Sequence, residues 1–307
     1  MADGPDMAAE YRQLQRSWTA RLAERRPVLL DGALGTELER RGVRAGLPLW
    51  STHALLEAPD VVAQVHREYA EAGAEVLTAG TFRTQRRCLR GSGVAGLEAR
   101  ALELTRDAVR LARDAADAAG ARCFVAGSAP PLEDCYRPDR VPEDGAAERE
   151  HREHAENLAD AGVDVIAVET HNCIREARAA ARAAAATGLP FWVSFVCGPD
   201  ARLLSGETLV EAVAQVADFG PALVGVNCLP PSAVGASLAV LERQPIGFLV
   251  YANLGAPAGQ GRSEPCSPSE LALHALAWIR AGARMVGGCC GTGPAHVRAI
   301  CSALARA

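Results

Sequence analysis

Eight short apolar runs recur along this chain, each followed by a long Ala-, Arg- and Glu-rich stretch. The runs are Val28–Leu30, Glu75–Ala79, Cys123–Ala126, Asp164–Val168, Phe191–Val196, Ala222–Val226, Ile246–Tyr251 and Arg284–Val286. Their length and β-forming content predict strands, and the stretches between them, such as Gly96–Ala119 and Ile174–Thr187, have helical periodicity. Three strands are announced by an Ala-Gly pair, at Ala72-Gly73, Ala161-Gly162 and Ala281-Gly282. Glycine there accepts the left-handed conformation that ends a helix, so the pairs mark helix-to-strand turns. Eight strand–helix units predict an α/β fold, a single (β/α)8 TIM-type barrel, although a doubly wound parallel sheet shows the same alternation. At 307 residues, 49% hydrophobic, the chain can bury one large core, and no linker divides it. The expected organisation is an N-terminal helical extension over 1–26 and a barrel over 27–307.

Composition removes several function classes. The net charge of −5 comes with no basic block, which argues against nucleic acid and anionic membranes as partners. Apolar stretches are strand-sized and interrupted, so no bilayer span is expected. The segment from Tyr11 to Arg26 is polar and Arg-rich without an apolar core, so no signal peptide is expected. Ten cysteines without small-domain spacing read as reduced thiols of a cytoplasmic protein. All 32 basic residues are arginine. Without lysine there is no Schiff base, no covalently held pyridoxal phosphate and no P-loop.

A barrel places its active site where strands end and βα loops begin. The polar or reactive residues at those ends are Asp31, Gly32, Thr81, Ser128, Glu169, Thr170, Cys197, Cys228, Asn253, Cys289 and Cys290. The Pro- and Asp-rich connection from Pro130 to Gly145 is long enough to form a lid over that mouth.

The cysteines carry the most chemistry. Gly225-Val226-Asn227-Cys228 and Gly287-Gly288-Cys289-Cys290-Gly291-Thr292 both close apolar β-forming runs. Three thiols at two strand ends can hold zinc and leave its fourth position open, the mark of a catalytic rather than a structural site. A buried vicinal pair or a strained adjacent disulfide is the alternative for Cys289-Cys290. Cys197, at another strand end, is a fourth candidate thiol. Cysteines 88, 123, 135, 173, 266 and 301 read as packing or surface residues.

Other features admit two readings. Asp31 and Glu169 either cap the helices that follow or hold a substrate ammonium. Asn253 either stabilises its turn or offers a displaceable amide ligand to the metal. Gly91-Ser92-Gly93-Val94-Ala95-Gly96 matches a dinucleotide fingerprint literally, but Arg86–Arg90 before it is no strand, so a loop is expected. His151 and His154, among Glu148, Glu150 and Glu153, read as a solvated helix face.

Together the motifs resemble the homocysteine S-methyltransferase family, from about Pro27 to the C-terminus. The resemblance rests on Leu30-Asp31-Gly32-Ala33-Leu34-Gly35-Thr36-Glu37-Leu38, Leu49-Trp50-Ser51, Ala167-Val168-Glu169-Thr170 and the two cysteine blocks above. It implies a (β/α)8 barrel, Zn2+ on Cys228, Cys289 and Cys290, and Asn253 as the ligand that yields to substrate. It further implies that Asp31 and Glu169 hold the homocysteine amino group and that backbone amides near Gly32 receive its carboxylate. Thr81 is counted with these substrate-binding residues. The expected reaction moves a methyl group from a sulfonium donor, S-methylmethionine or S-adenosylmethionine, to homocysteine, giving methionine. Leu49-Trp50-Ser51 looks more like the S-methylmethionine-using branch than the betaine-using one. Trp50, Phe82 and Tyr136 are donor-side candidates, since an aromatic face attracts a sulfonium by ~2 kcal/mol when desolvated. Homocysteine and a methyl donor are thus the expected small-molecule partners. The sequence departs from the family pattern at Gly80-Thr81-Phe82, at Ala129-Pro130-Pro131 and at Ala252, which puts the donor most in question. Alternatives are a methyl-acceptor module for a corrinoid, methylfolate or betaine donor, another thiol or selenol acceptor, and a non-catalytic zinc or redox-sensing barrel.

Overall fold

Each of the eight apolar runs forms a strand in the computed structural model, which describes residues 18–24, 26–255 and 265–307. The strands are β1 (Val28–Leu29), β2 (Val76–Ala79), β3 (Phe124–Ala129), β4 (Val165–His171), β5 (Phe191–Phe195), β6 (Leu223–Asn227), β7 (Phe248–Ala252) and β8 (Met285–Gly288). Every strand pairs in parallel with its sequence neighbours, and β1 pairs with β8. A parallel bridge between Leu30 and Val76 joins β1 to β2, with Glu75 N donating to Leu29 O at 2.8 Å and Asp31 N to Val76 O at 3.0 Å. The sheet therefore closes on itself as a (β/α)8 barrel. A doubly wound sheet would have two free edges and a reversal of strand order.

Strand residues alternate between two cores, as the period of two requires. Along β4, Val165 and Ala167 point inside, with Val28, Leu30, Val76, Leu249 and Met285. Ile166 and Val168 face outward and pack with helix residues such as Ala177 and Ala181 of α7 (Ile174–Ala186). Burial of each large aliphatic side chain is worth about 1.5–3 kcal/mol. Alanine on the helix faces keeps the helices close to the sheet. The predicted turns are present, with φ of +99° at Gly73, +79° at Gly162 and +105° at Gly282.

Residues 18–23 are helical and close the barrel end opposite the site. Trp18 enters the inner core, edge-on to Phe124 at 5.1 Å and stacked on Trp192 at 6.2 Å. Arg21 pins the segment through Glu75 Oε2 at 2.7 Å and Oε1 at 2.9 Å. The rest of the predicted extension, apart from Glu24 and Arg26, lies outside the described residues. Among the described residues no helix is long and apolar enough to cross a membrane.

Two expectations are corrected. Strands β3 and β4 each run three residues past their apolar runs, through Gly127-Ser128-Ala129 and Glu169-Thr170-His171. Their polar residues remain in the sheet because they are buried and hydrogen-bonded there. His151 and His154, on α6 (Asp144–Asp160), do not form a solvated face; each is 2% exposed. His154 Nε2 meets Ser128 O at 2.9 Å and His151 Nε2 meets Glu176 Oε1 at 3.3 Å, while the acidic neighbours occupy the other side of the helix.

Candidate active site

The ends of β6 and β8 bring Cys228, Cys289 and Cys290 together, with their sulfur atoms all within 4.8 Å of one another. Backbone bonds place them: Cys228 N donates to Tyr251 O, Cys289 N to Ala252 O, and Leu254 N to Cys290 O. Cys228 itself has φ +59°, a left-handed conformation that costs a non-glycine residue about 1–3 kcal/mol. The turn after Cys290 needs glycine. Gly291 has φ +82°, and a Cβ there would fall 2.7 Å from Gly255 N.

The donor set fits zinc. Tetrahedral Zn–S bonds of about 2.3 Å require sulfurs about 3.8 Å apart, which three clustered side chains reach with small adjustments. Asn253, just beyond β7, donates through Nδ2 to Cys228 O at 3.1 Å, while its buried Oδ1 has no hydrogen-bond partner among the described residues. A buried amide oxygen left unpaired is costly unless something binds it, and a metal ion would. As free thiols the cluster favours one negative charge. The Cys228 thiol is held well below its usual range by the S–H groups of Cys289 and then Cys290, despite burial. Those two are pushed up in turn, Cys289 first by its hydrogen bond to Cys228. The Tyr136 hydroxyl also touches Cys228 Sγ, at 3.1 Å.

A cavity of about 310 Å³ opens beside the sulfurs. Asp31, Gly32, Glu169, Trp50, Phe82 and Tyr136 all line it, as do Cys228, Cys289 and Cys290. Neither acid caps a helix: the residue before α1 (Gly35–Arg40) is Leu34, and that before α7 is Cys173. Asp31 accepts from Thr78 N at 2.7 Å and Thr78 Oγ1 at 3.0 Å. Glu169 accepts from Ser128 Oγ and, at 2.9 Å, from the Tyr251 hydroxyl, which Ser194 Oγ supports at 2.6 Å. Burial pushes Asp31 up to about 7 against the Thr78 bonds. Burial likewise raises Glu169 to about 7 against the Ser128 and Tyr251 bonds. Both carboxylates line one cavity, and a cation placed between them would restore the ionised forms that burial disfavours.

Some sequence-based assignments land elsewhere. Thr81 is fully buried and does not line the cavity; its hydroxyl accepts from Ser128 N at 2.8 Å and donates to Ser128 O at 3.1 Å. It supports the serine that holds Glu169. Cys197 lies outside the thiol cluster, bridged to Leu203. The Gly91–Gly96 segment follows a short helix, α4 (Arg86–Gly91), and turns through left-handed Gly93 and Gly96. The loop after β3 does reach the mouth, contributing Asp134, Cys135 and Tyr136. It is anchored by Leu132 N on Glu176 Oε1 at 2.8 Å and by Asn172 Nδ2 on Cys135 O at 2.9 Å. Arg83, Asp134, Cys135 and Tyr251 also line the cavity, and none of them stands out as a site residue from sequence alone. For Tyr251 the signal was the period of two, which sets it inward with Leu249.

Comparison with known proteins agrees with this geometry. A family model described as homocysteine S-methyltransferase matches residues 28–304. A homocysteine S-methyltransferase of Escherichia coli is 33% identical over 89% of this chain and 94% of its own. A selenocysteine methyltransferase of Astragalus bisulcatus is 29% identical over 90% of this chain and 91% of its own. The metallated crystal structure of the E. coli homocysteine methyltransferase MmuM superposes with a TM-score of 0.79 at 32% identity, over 96% of this chain and all of that one. The chain belongs to the homocysteine S-methyltransferase family, enzymes that transfer a methyl group to homocysteine.

Proposed function

We propose that this protein transfers a methyl group from a sulfonium amino acid, S-methylmethionine before S-adenosylmethionine, to the sulfur of L-homocysteine, giving methionine. The observation that carries the reading is the convergence of Cys228, Cys289 and Cys290 with the unpaired Asn253 Oδ1, next to a cavity that Asp31 and Glu169 line. Cys228, Cys289 and Cys290 would hold zinc, and Asn253 would yield its position to the substrate. Zinc held there would keep the homocysteine sulfur deprotonated, whereas a free thiol with a pKa of about 8.5 is only a few per cent ionised at pH 7.

Asp31 and Glu169 bind the homocysteine ammonium, and the chain at Gly32 receives its carboxylate. A Cβ at Gly32 would come within 2.6 Å of Thr292 Oγ1, so glycine is what lets the chain pack there at the cavity wall. With zinc bound, the thiolates of Cys228, Cys289 and Cys290 would give the site excess negative charge, which would keep the substrate sulfur nucleophilic. That sulfur attacks the donor methyl in line; the new S–C bond forms as the old one breaks, and its electron pair stays on the donor sulfur. Trp50 and Phe82 face the positive sulfonium and help exclude water. A Cβ at Gly35 would fall 2.3 Å from the Trp50 ring, so the glycine is what lets that ring lie where it does.

Residues 18–23 of the N-terminal extension serve as a plug for the barrel. Chemistry that depends on three reduced thiols suits the cytoplasm. X-ray absorption at the zinc edge tests the metal assignment: adding homocysteine should convert three sulfur neighbours to four. An unchanged shell would count against it.

A further inference from the structure

Arg83 brings a buried charge to the wall of the cavity. It follows Phe82 beyond β2, is 4% exposed, and is the one cation among the described residues lining the cavity. Its Nη1 donates to Glu133 O at 3.0 Å and to Cys88 Sγ at 3.5 Å, and its buried Nε has no hydrogen-bond partner among the described residues. The other buried arginine, Arg21, is forked onto Glu75. Arg83 has no carboxylate within ion-pair distance among the described residues. A guanidinium cannot shed its proton to escape burial, and the hydrogen-bond acceptors that reach Arg83 are a carbonyl and a thiol, with Asp134 acting on it from beyond ion-pair distance. Such a group inside a ligand cavity is built to receive an anion, and its planar fork matches a carboxylate.

A carboxylate that lines the same cavity, Asp134, is in the complementary position. It accepts from Tyr136 N at 2.9 Å and makes no ion pair among the described residues, while acting at longer range on Arg83 and Arg137. An unpaired cation and an unpaired anion near one another suit a zwitterion, whose carboxylate and ammonium share one carbon. The acids Asp31 and Glu169 already make a separate receptor beside the cysteines, so the cavity holds charged groups for two amino acids.

We propose that Arg83 and Asp134 form the amino-acid subsite of the methyl donor, Arg83 binding the donor α-carboxylate and Asp134 its α-ammonium. The inference rests on the sulfonium amino-acid reading above and gives it a specificity-determining residue. It also predicts that carboxylate-free sulfonium compounds are poor donors. Arg83 has an evident structural contact as well, since Nη1 ties the β2 loop to the loop after β3, and the test must separate the two roles.

The test uses zinc-loaded wild type, Arg83→Gln and Arg83→Lys, with S-methylmethionine and its α-carboxamide as paired donors. Arg83→Gln should raise the KM for S-methylmethionine at least about tenfold, the scale of a lost charge-assisted contact. The wild-type preference for the carboxylate over the carboxamide should collapse in the same variant. Homocysteine KM and zinc content should stay within about twofold, and Arg83→Lys, which keeps charge without the fork, should fall between. An equal loss with both donors would make Arg83 structural, and a selective rise in homocysteine KM would move it to the acceptor side; either overturns the proposal. Wild-type transfer with an unaffected Arg83→Gln would sink this proposal alone. Failure of wild type with S-methylmethionine and S-adenosylmethionine would sink the donor reading along with it.

Discussion

Asn227 holds Thr170 at two points: its Oδ1 accepts from Thr170 N at 2.9 Å and its Nδ2 donates to Thr170 Oγ1 at 2.8 Å. Thr170 has φ +62°, a conformation rarely adopted by a β-branched residue, and it directly follows Glu169. Asn227 directly precedes Cys228, itself left-handed. One buried amide thus couples the backbone of the cavity acid Glu169 to that of Cys228 in the thiol cluster, across β5.

Asn227→Ala should therefore affect both halves of the site. It strands a buried Thr170 N–H and frees a strained turn, a loss of about 1–3 kcal/mol. Calorimetry should show a melting temperature lower by several degrees, and chelator competition should show zinc held about tenfold less tightly. A variant as stable and as zinc-retentive as wild type would mean that the coupling carries no energy.

Cys289→Ala should abolish zinc retention and methyl transfer together. Metal analysis of the purified, reduced variant should give far less than one zinc per chain. Full activity in that variant would show that the ligand assignment is wrong.

The acids set a pH dependence whose sign is fixed. Asp31 and Glu169 both titrate near 7 in the folded protein, raised chiefly by burial. Below that pH they are protonated and offer an ammonium no charge. Norleucine has the amino-acid end of homocysteine without its thiol, so it isolates this effect from zinc chemistry. Its affinity, measured by titration calorimetry, should weaken about tenfold from pH 8 to pH 6. Linkage gives the companion sign. Because the folded pKa values lie above the unfolded ones, ionisation costs stability, and the ligand-free protein should lose stability as pH rises from about 4 to about 7. Affinity that is flat or tighter at pH 6 would remove the acids from ammonium binding.

The barrel and the thiol cluster were legible in the sequence for one reason: both are written along single strands. An apolar run that ends in Cys228, or in Gly288-Cys289-Cys290, displays its own topology, and the barrel rule does the rest. Residues whose roles depend on a partner strand were harder to read. Thr81 and Ser128 are both hydroxyls at strand ends, and only their mutual hydrogen bonds show that Ser128 holds Glu169 while Thr81 supports Ser128. His151 and His154 looked solvated because their neighbours in sequence are acidic, yet their face of the helix lies on β3 and β4. Arg83 resembled any other arginine of a chain rich in them, and its missing carboxylate is a fact of three dimensions.

The most direct test of the account is mass-resolved methyl transfer in zinc-loaded, reduced protein, supplied with homocysteine and with S-methylmethionine whose methyl groups are deuterated. The account predicts methionine that carries one labelled methyl per turnover on the homocysteine skeleton. Absence of labelled methionine, in protein holding one zinc per chain, would contradict it.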